Sequence, residues 1–279
     1  MIERAASELS CVSDTARLDA EVLLAHALGR SRAWLLAHEN EAISREGAAH
    51  FAALLERRAQ GWPVAYLVER REFWSREFRV TPDVLIPRPE TERLVETALS
   101  LLPPDRRCRI ADLGTGSGAS ALTLALERSK ISVIATDASA AALEVARDNA
   151  ASLRTNNVEF RLGDWCAALR ADERFDLIAS NPPYVAAGDP HLGEGDLCFE
   201  PAVALAAGET GLEAIERIVR EARNHLVAGG WLVLEHGFDQ AGAVAQLLRG
   251  CGYEAFEGIT DFGGHQRVAS ARWPGAARK

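Results

Sequence analysis

Apolar residues recur at helical spacing through the first 68 positions. Leu18, Val22 and Ala25 lie four and three apart, and Phe51, Leu54 and Leu55 repeat that interval within AAHFAALLERR. Such spacing gathers apolar groups on one helix face, so these residues are expected to point into a core. Gly29 and Gly61 are natural stops for the helices. The stretch carries no stripe of positive charge and predicts a small all-α bundle over 1–68. The pattern then changes. Phe73, Trp74, Phe78 and Val80 are strand formers on either side of Ser75-Arg76, which predicts a two-stranded β-ribbon linker within 69–86. Pro87 and Pro89 end it. Leu94, Val95, Ala98, Leu99 and Leu102 then space a helix closed by Pro103-Pro104.

From Arg109 onward strands and helices alternate. CRIADLG, ISVIATD, NVEFRLGD, FDLIASN and GWLVLEHG read as strands, and YEAFEG and QRVASARW as terminal strands. Between them lie GSGASALTLALERS, SAAALEVARDNAASL, TGLEAIERIVREARNHL and DQAGAVAQLLRG, which read as helices. The third of these helices would present Leu212, Ile215, Ile218, Val219, Ala222 and Leu226 on one face. Alternation with short connectors predicts an α/β fold, a parallel sheet covered on both faces, over 87–279. The long irregular stretch 185–209 has the length of a functional loop.

Composition narrows the class. The chain has 279 residues, 48% of them apolar, with 40 acidic against 31 basic side chains for a formal charge of −9. That balance argues against tight sequence-independent binding to nucleic acid. No apolar run reaches the ~20 residues of a membrane helix. The N-terminus mixes Glu3, Glu8, Asp14 and Asp19 into its first turns and lacks the apolar segment of a secretory signal. The five cysteines are widely spaced without a C-x-x-C pair. This predicts neither a metal knuckle nor a redox pair, but inert thiols in a reducing cytoplasm.

The candidate chemistry sits at strand ends. Asp112-Leu113-Gly114-Thr115-Gly116-Ser117-Gly118 joins the first strand of the sheet to its helix. The spacing is G-x-G-x-G, not the G-x-G-x-x-G of a dinucleotide site. The preceding Asp112 would repel a pyrophosphate but could hold an ammonium. S-adenosylmethionine fits such a turn; a plain tight turn is the other reading. Asp137, ending the second strand, suits ribose hydroxyls, or caps the next helix. Asp164-Trp165 follows the third strand, where the carboxylate could accept from an adenine amino group and the indole flank the ring; a turn Asp beside a half-buried Trp is the bland alternative.

Asn181-Pro182-Pro183-Tyr184 ends the fourth strand, on the same sheet edge. A planar NH2 conjugated to a carbonyl or a ring is a poor nucleophile because its lone pair is delocalised. A site for it must bind both N–H bonds and leave that pair facing the methyl donor. Asn181 offers a side-chain oxygen, and Pro182 a backbone oxygen in a turn stiffened by two prolines. Tyr184 offers a face for stacking. Alignment at about 3–3.5 Å is then most of the catalysis.

In this order, the motifs D-L-G-T-G-S-G, Asp137, D-W and S-N-P-P-Y resemble class I S-adenosylmethionine-dependent methyltransferases acting on amide or amino nitrogens. R-E-F-W-S, L-I-P-R-P-E-T-E, D-P-H-L, F-E-P-A-V-A-L and L-E-H-G make the chain similar to the release factor glutamine methyltransferases, the HemK/PrmC family. The resemblance runs over nearly the whole chain. It implies a Rossmann-like domain with a mostly parallel seven-stranded sheet. It also implies methylation of the side-chain N5 of the glutamine in the Gly-Gly-Gln loop of class I peptide release factors, with the helical bundle docking that partner. By position, Gly114, Thr115, Gly116, Ser117, Gly118, Asp137, Asp164, Trp165 and Asn181 would bind S-adenosylmethionine, leaving S-adenosylhomocysteine as product. Asn181, Pro182 and Tyr184 would be catalytic, and with Pro183, Arg88 and Glu90 would bind substrate. No metal, stable nucleic acid or membrane is expected, and the protein is expected to be a cytoplasmic monomer. One departure is visible: the family usually carries a glycine shortly before R-E-F-W, where this chain reads Val68-Glu69-Arg70-Arg71.

An adenine-N6 nucleic-acid methyltransferase is the runner-up, because adenine's NH2 poses the same problem. The acidic balance and the lack of a basic recognition segment weigh against it. A cofactor-binding scaffold with a spent site conflicts with the intact N-P-P-Y, and a nicotinamide oxidoreductase with the glycine spacing.

Overall fold

The computed structural model describes residues 1–39 and 41–275. The chain divides into two compact units, one formed by Met1–Arg70 with Gly193–Phe199, the other by Arg71–Leu192 with the chain from Glu200 onward.

The smaller unit is all-helical: α1 (Ile2–Leu9), α2 (Ala16–Ala27), α3 (Arg32–Ala37), α4 (Arg45–Ala59) and α5 (Val64–Leu67). Ser31 and Ser44 cap α3 and α4 by accepting from the backbone N–H groups of Trp34 and Gly47. The core holds Ala20, Leu23, Leu24, Leu35, Phe51, Leu54 and Leu67. It does not hold Leu18, which is 41% exposed. The buried face of α2 is turned by Asp19, which the Arg58 guanidinium takes inside at 2.8 Å. Arg58 also donates to the Gly61 and Trp62 carbonyls and to Asp196. With the Trp62–Phe199 ring contact, this binds residues 193–199 to the helices, a return that no boundary in the sequence marks. A buried ion pair outranked apolar periodicity here, because an unpaired charge inside costs several kcal/mol.

The larger unit opens with the hairpin β1 (Arg70–Phe73) and β2 (Arg76–Arg79), followed by α6 (Thr91–Leu101). Alternation then runs β3 (Cys108–Leu113), α7 (Ala119–Glu127), β4 (Ile131–Asp137), α8 (Ala140–Ser152), β5 (Val158–Leu162), β6 (Phe175–Ser180), α9 (Ala202–Leu205), α10 (Glu213–Ala222), β7 (Leu226–Glu235), α11 (Ala241–Gly250), β8 (Glu254–Thr260) and β9 (Gln266–Arg272). The seven strands from β3 onward form one sheet in the order β5-β4-β3-β6-β7-β9-β8. The first five are parallel, and β9 runs antiparallel between β7 and β8. Strand alternation splits the core. Ile110 and Leu177 face α6 and α7, while Ala111 and Ile178 face α10 and α11. This is the expected doubly covered α/β fold with a mostly parallel sheet. One helix face was read too far: α10 stops at Ala222, and Leu226 belongs to β7, because a turn at 223–225 intervenes.

The paired ribbon is shorter than 69–86 and turns through Trp74 and Ser75, both at positive φ, the geometry of a two-residue hairpin loop. Two anchors hold that turn: Trp74 N donates to Glu92 at 2.8 Å, and its indole N–H to Glu127 at 3.1 Å. Glu69, where the family resemblance expects glycine nearby, sits at φ +56°. That conformation costs an L side chain roughly 1–2 kcal/mol, while glycine loses roughly 0.5–1 kcal/mol more backbone entropy on folding. Glu69→Gly is therefore expected to raise the unfolding free energy by about 0.5–1 kcal/mol in urea titration; an unchanged or lowered midpoint contradicts the strain.

Candidate active site

Strand order reverses beside β3, whose neighbours are β4 and β6, and ligands of open α/β sheets bind at such a switch point, beyond the strand C-termini. There lies a cavity of about 300 Å³ lined by Gly114, Thr115, Gly116, Ser117, Asp137, Asp164, Trp165, Asn181, Pro183 and Arg88, among others. All of it belongs to the larger unit.

The glycine turn is held from below. Gly114 N and Thr115 N both donate to the Thr136 carbonyl at 2.9 Å, so the turn hangs from β4. Gly114 has φ +73°, and a Cβ on it would meet the Trp165 ring at 2.8 Å. A Cβ on Gly116 would meet nothing within 4 Å, since that residue faces the cavity. Asn149 of α8 braces the turn from outside, donating to the Ser117 carbonyl at 2.9 Å while accepting from Arg79 N at 2.7 Å. Both oxygens of Asp137 accept backbone N–H groups, from Gly116 and Ser139 at 2.9 Å each. The cap of α8 is Ser139, not Asp137.

Charge in the cavity is one-sided. Asp83, Asp112, Asp137 and Asp164 line it, with Arg88 the sole base among the lining residues; Arg88 is paired with Glu200. Strand alternation turns Asp112 inward, where it is 2% exposed and accepts from the Thr115 hydroxyl at 2.6 Å. Burial pushes its carboxyl up to about 6 against the pull of that hydrogen bond, and Asp137 adds to the rise. A buried acid of this kind gains from a cation.

Asn181 enters by register. Leu113 pairs with Ser180, so Gly114 and Asn181 leave the sheet side by side. The Asn181 amide nitrogen donates to the Thr91 hydroxyl at 3.2 Å. Its carbonyl oxygen is buried and has no partner among the described residues. The following turn is held by Gln240, whose amide donates to the Tyr184 carbonyl at 2.9 Å.

Most expected residues converge here, but not all in the expected way. Gly118, Glu90, Pro182 and Tyr184 do not line the cavity. Gly118 caps α7 instead, and Glu90 caps α6. Tyr184 turns its phenol to Glu235 at 3.3 Å, and burial, reinforced by Glu235, holds it well above the ordinary tyrosine range. The Asp164 carboxylate lines the cavity and pairs through Oδ2 with Arg217 of α10, which leaves Oδ1 as an acceptor. Thr91, Val84, Leu85, Val203, Glu200, Gln240, Glu235 and Asn149 were missed. Thr91 and Leu85, in L-I-P-R-P-E-T-E, Glu200 and Val203, in F-E-P-A-V-A-L, and Glu235, in L-E-H-G, lie in segments that carried the family resemblance. Among the described residues no group of three or more acidic, His or Cys side chains could hold a metal.

Residues 1–68 match the family model described as PrmC N-terminal domain, and 104–192 the one described as methyltransferase domain. The release factor glutamine methyltransferase of Xylella fastidiosa strain Temecula1 is 51% identical over 93% of this chain and 94% of its own length. That of Escherichia coli strain K12 is 45% identical over 98% and 97%. Among solved structures, a T. thermophilus 16S rRNA N2 methyltransferase in complex with AdoMet and guanosine has a TM-score of 0.55 at 22% identity, covering 73% of this chain and 49% of that one; it shares the fold.

The state of Asp112 makes a measurable claim. An ammonium-bearing ligand needs the carboxylate, so the acid must first lose its proton. Affinity for S-adenosylhomocysteine is expected to fall about tenfold from pH 7 to pH 5, and to be weak and flat with pH in Asp112→Asn. Equilibrium binding by calorimetry checks this; a pH-independent constant for the native protein contradicts it.

Proposed function

The chain belongs to the release factor glutamine methyltransferase family, and from that premise we propose how its residues serve the reaction. It is an S-adenosylmethionine-dependent protein-(glutamine-N5) methyltransferase acting on peptide release factors. When bound, S-adenosylmethionine supplies a methyl group on a sulfonium, activated for transfer to nitrogen. The acid-lined cavity suits that cation and its ammonium. Asp112 takes the ammonium side, Gly114–Ser117 form the cradle, and Asp137, with a lone pair free on each oxygen, takes ribose hydroxyls. Trp165, packed against Gly114, walls the adenine side.

One observation carries the substrate reading: the buried Asn181 oxygen has no donor among the described residues. A glutamine carboxamide brings the N–H that this acceptor lacks, and the second N–H is assigned to the backbone carbonyl of Pro182, which lies in the adjoining turn outside the cavity lining. With both N–H bonds held, the amide plane is fixed and its electron pair is left to the donor. The nitrogen becomes acidic once methylated and loses its proton to water, so no strong base is required. Arg88, held by Glu200 at the cavity wall, is positioned against the backbone of the incoming loop, and Glu90 contributes through the start of α6. The substrate we assign is the glutamine of the Gly-Gly-Gln loop of class I release factors, with the helical unit docking the factor. Five free thiols suit a reducing cytoplasm. Adenine presents a similar NH2, but the net charge of −9 disfavours a polyanion.

Labelled methyl from S-adenosylmethionine is expected on a class I release factor and not on DNA. Asn181→Ala should lower transfer about a hundredfold or more while donor binding is largely kept. Label in DNA alone, or full transfer by the variant, contradicts the reading.

A further inference from the structure

The two ends of an asparagine amide have nearly the same shape and opposite hydrogen-bonding sense. Turned over, Asn181 would meet the substrate NH2 with an NH2 of its own. Something must choose the end. We infer that Thr91 and Glu235 are positioning residues that fix the carbonyl end of Asn181 toward the substrate, an inference that rests on Asn181 being the glutamine acceptor.

The geometry is a short relay. Ser180 of β6 pairs with Leu234 of β7, so Asn181 and Glu235 are neighbours across the strand ends. Thr91, at the start of α6, accepts from the Asn181 amide nitrogen at 3.2 Å. A hydroxyl has one hydrogen and two lone pairs. If its hydrogen is spent elsewhere, its oxygen can only accept from Asn181, and the amide has one orientation. The relay assigns that hydrogen to Glu235. Its carboxylate is 1% exposed. Oε1 accepts from the Tyr184 phenol at 3.3 Å. Oε2 is a buried acceptor with no hydrogen bond among the described residues, and the Thr91 hydroxyl, which pulls the carboxyl toward its charged form, is the donor assigned to it. An ionised carboxylate is acceptor-only, so it orients every hydroxyl around it the same way.

A buried carboxylate at this place is costly. Burial and the charge of Glu90 push it up to about 7; Thr91, Tyr184 and Arg267 pull the other way. Protonated, Glu235 can donate as well as accept. The Thr91 hydrogen is then released, and the Asn181 amide is no longer held one way round. The relay is therefore set above about pH 7 and loosened below it.

The test uses the full chain with a class I release factor and S-adenosylmethionine. Thr91→Val keeps the shape and removes the hydroxyl. It should lower kcat by roughly ten- to a hundredfold, with KM for the release factor, donor affinity and melting temperature close to native. Thr91→Ser restores the hydroxyl and should recover most of kcat. The native kcat should rise through an acid limb near pH 7 that Glu235→Gln flattens; if that variant fails to fold, the Thr91 pair still decides. Full kcat in Thr91→Val overturns the relay. So does a loss matched by lost donor binding and melting, or one that serine does not rescue. A native protein that transfers no methyl to the factor overturns the functional reading beneath it, and that outcome is visible before any variant is made.

Discussion

The side-chain oxygen of Asn181 is shut away from water and has no donor among the described residues. A buried acceptor left in that state costs roughly 1–3 kcal/mol, and folded proteins rarely carry one without a reason. In the reaction proposed above, the missing donor is what the substrate amide brings. The unmet hydrogen bond makes the site selective for a group with an N–H to give. A methylene would give that oxygen nothing, and a hydroxyl, with one hydrogen, could not also serve a second acceptor. The rest of the larger unit is arranged to keep that atom where it is.

Three pieces of backbone do most of this. Parallel pairing of β3 with β6 sets Gly114 and Asn181 side by side at the sheet edge. The glycine turn is tied to Thr136 below and to Asn149 outside, so the cradle is rigid before anything binds. The turn after Asn181 is tied to Gln240, and the segment ending in Arg88 is tied to Glu200, which also accepts from Ile86 N. Preorganisation of this sort lowers the cost of ordering the site at each turnover. The acids of the cavity then choose the sign of the ligand, and the buried Asp112 ties that choice to pH.

Period-2 and period-3.6 patterns were enough to read the alternating part of the chain, because each strand and helix there buries one continuous face. They misled where a polar contact decided the outcome. Leu18 lies outside because Asp19 is drawn in by Arg58. Leu226 lies in a strand because the helix before it ends in a turn. Strand-end motifs pointed to the cavity, and Gly114–Ser117, Asp137, Trp165, Asn181 and Pro183 meet in it. What the pattern could not show is where a side chain looks. Asp164 was read as an open acceptor and is paired with Arg217, a residue some fifty positions away that only the fold brings near. Tyr184 was read as a stacking face and instead supplies a hydroxyl to Glu235. Thr91, Glu235, Asn149 and Gln240 act through contacts between distant segments, which leave no periodic trace.

The central claim is that a carboxamide, and no other nitrogen, is held at Asn181. Peptide mass mapping of a class I release factor incubated with this protein and S-adenosylmethionine tests it most directly. One added methyl group is expected on the side-chain nitrogen of the loop glutamine. A methyl on lysine, arginine or a chain terminus, or none on the factor at all, contradicts it.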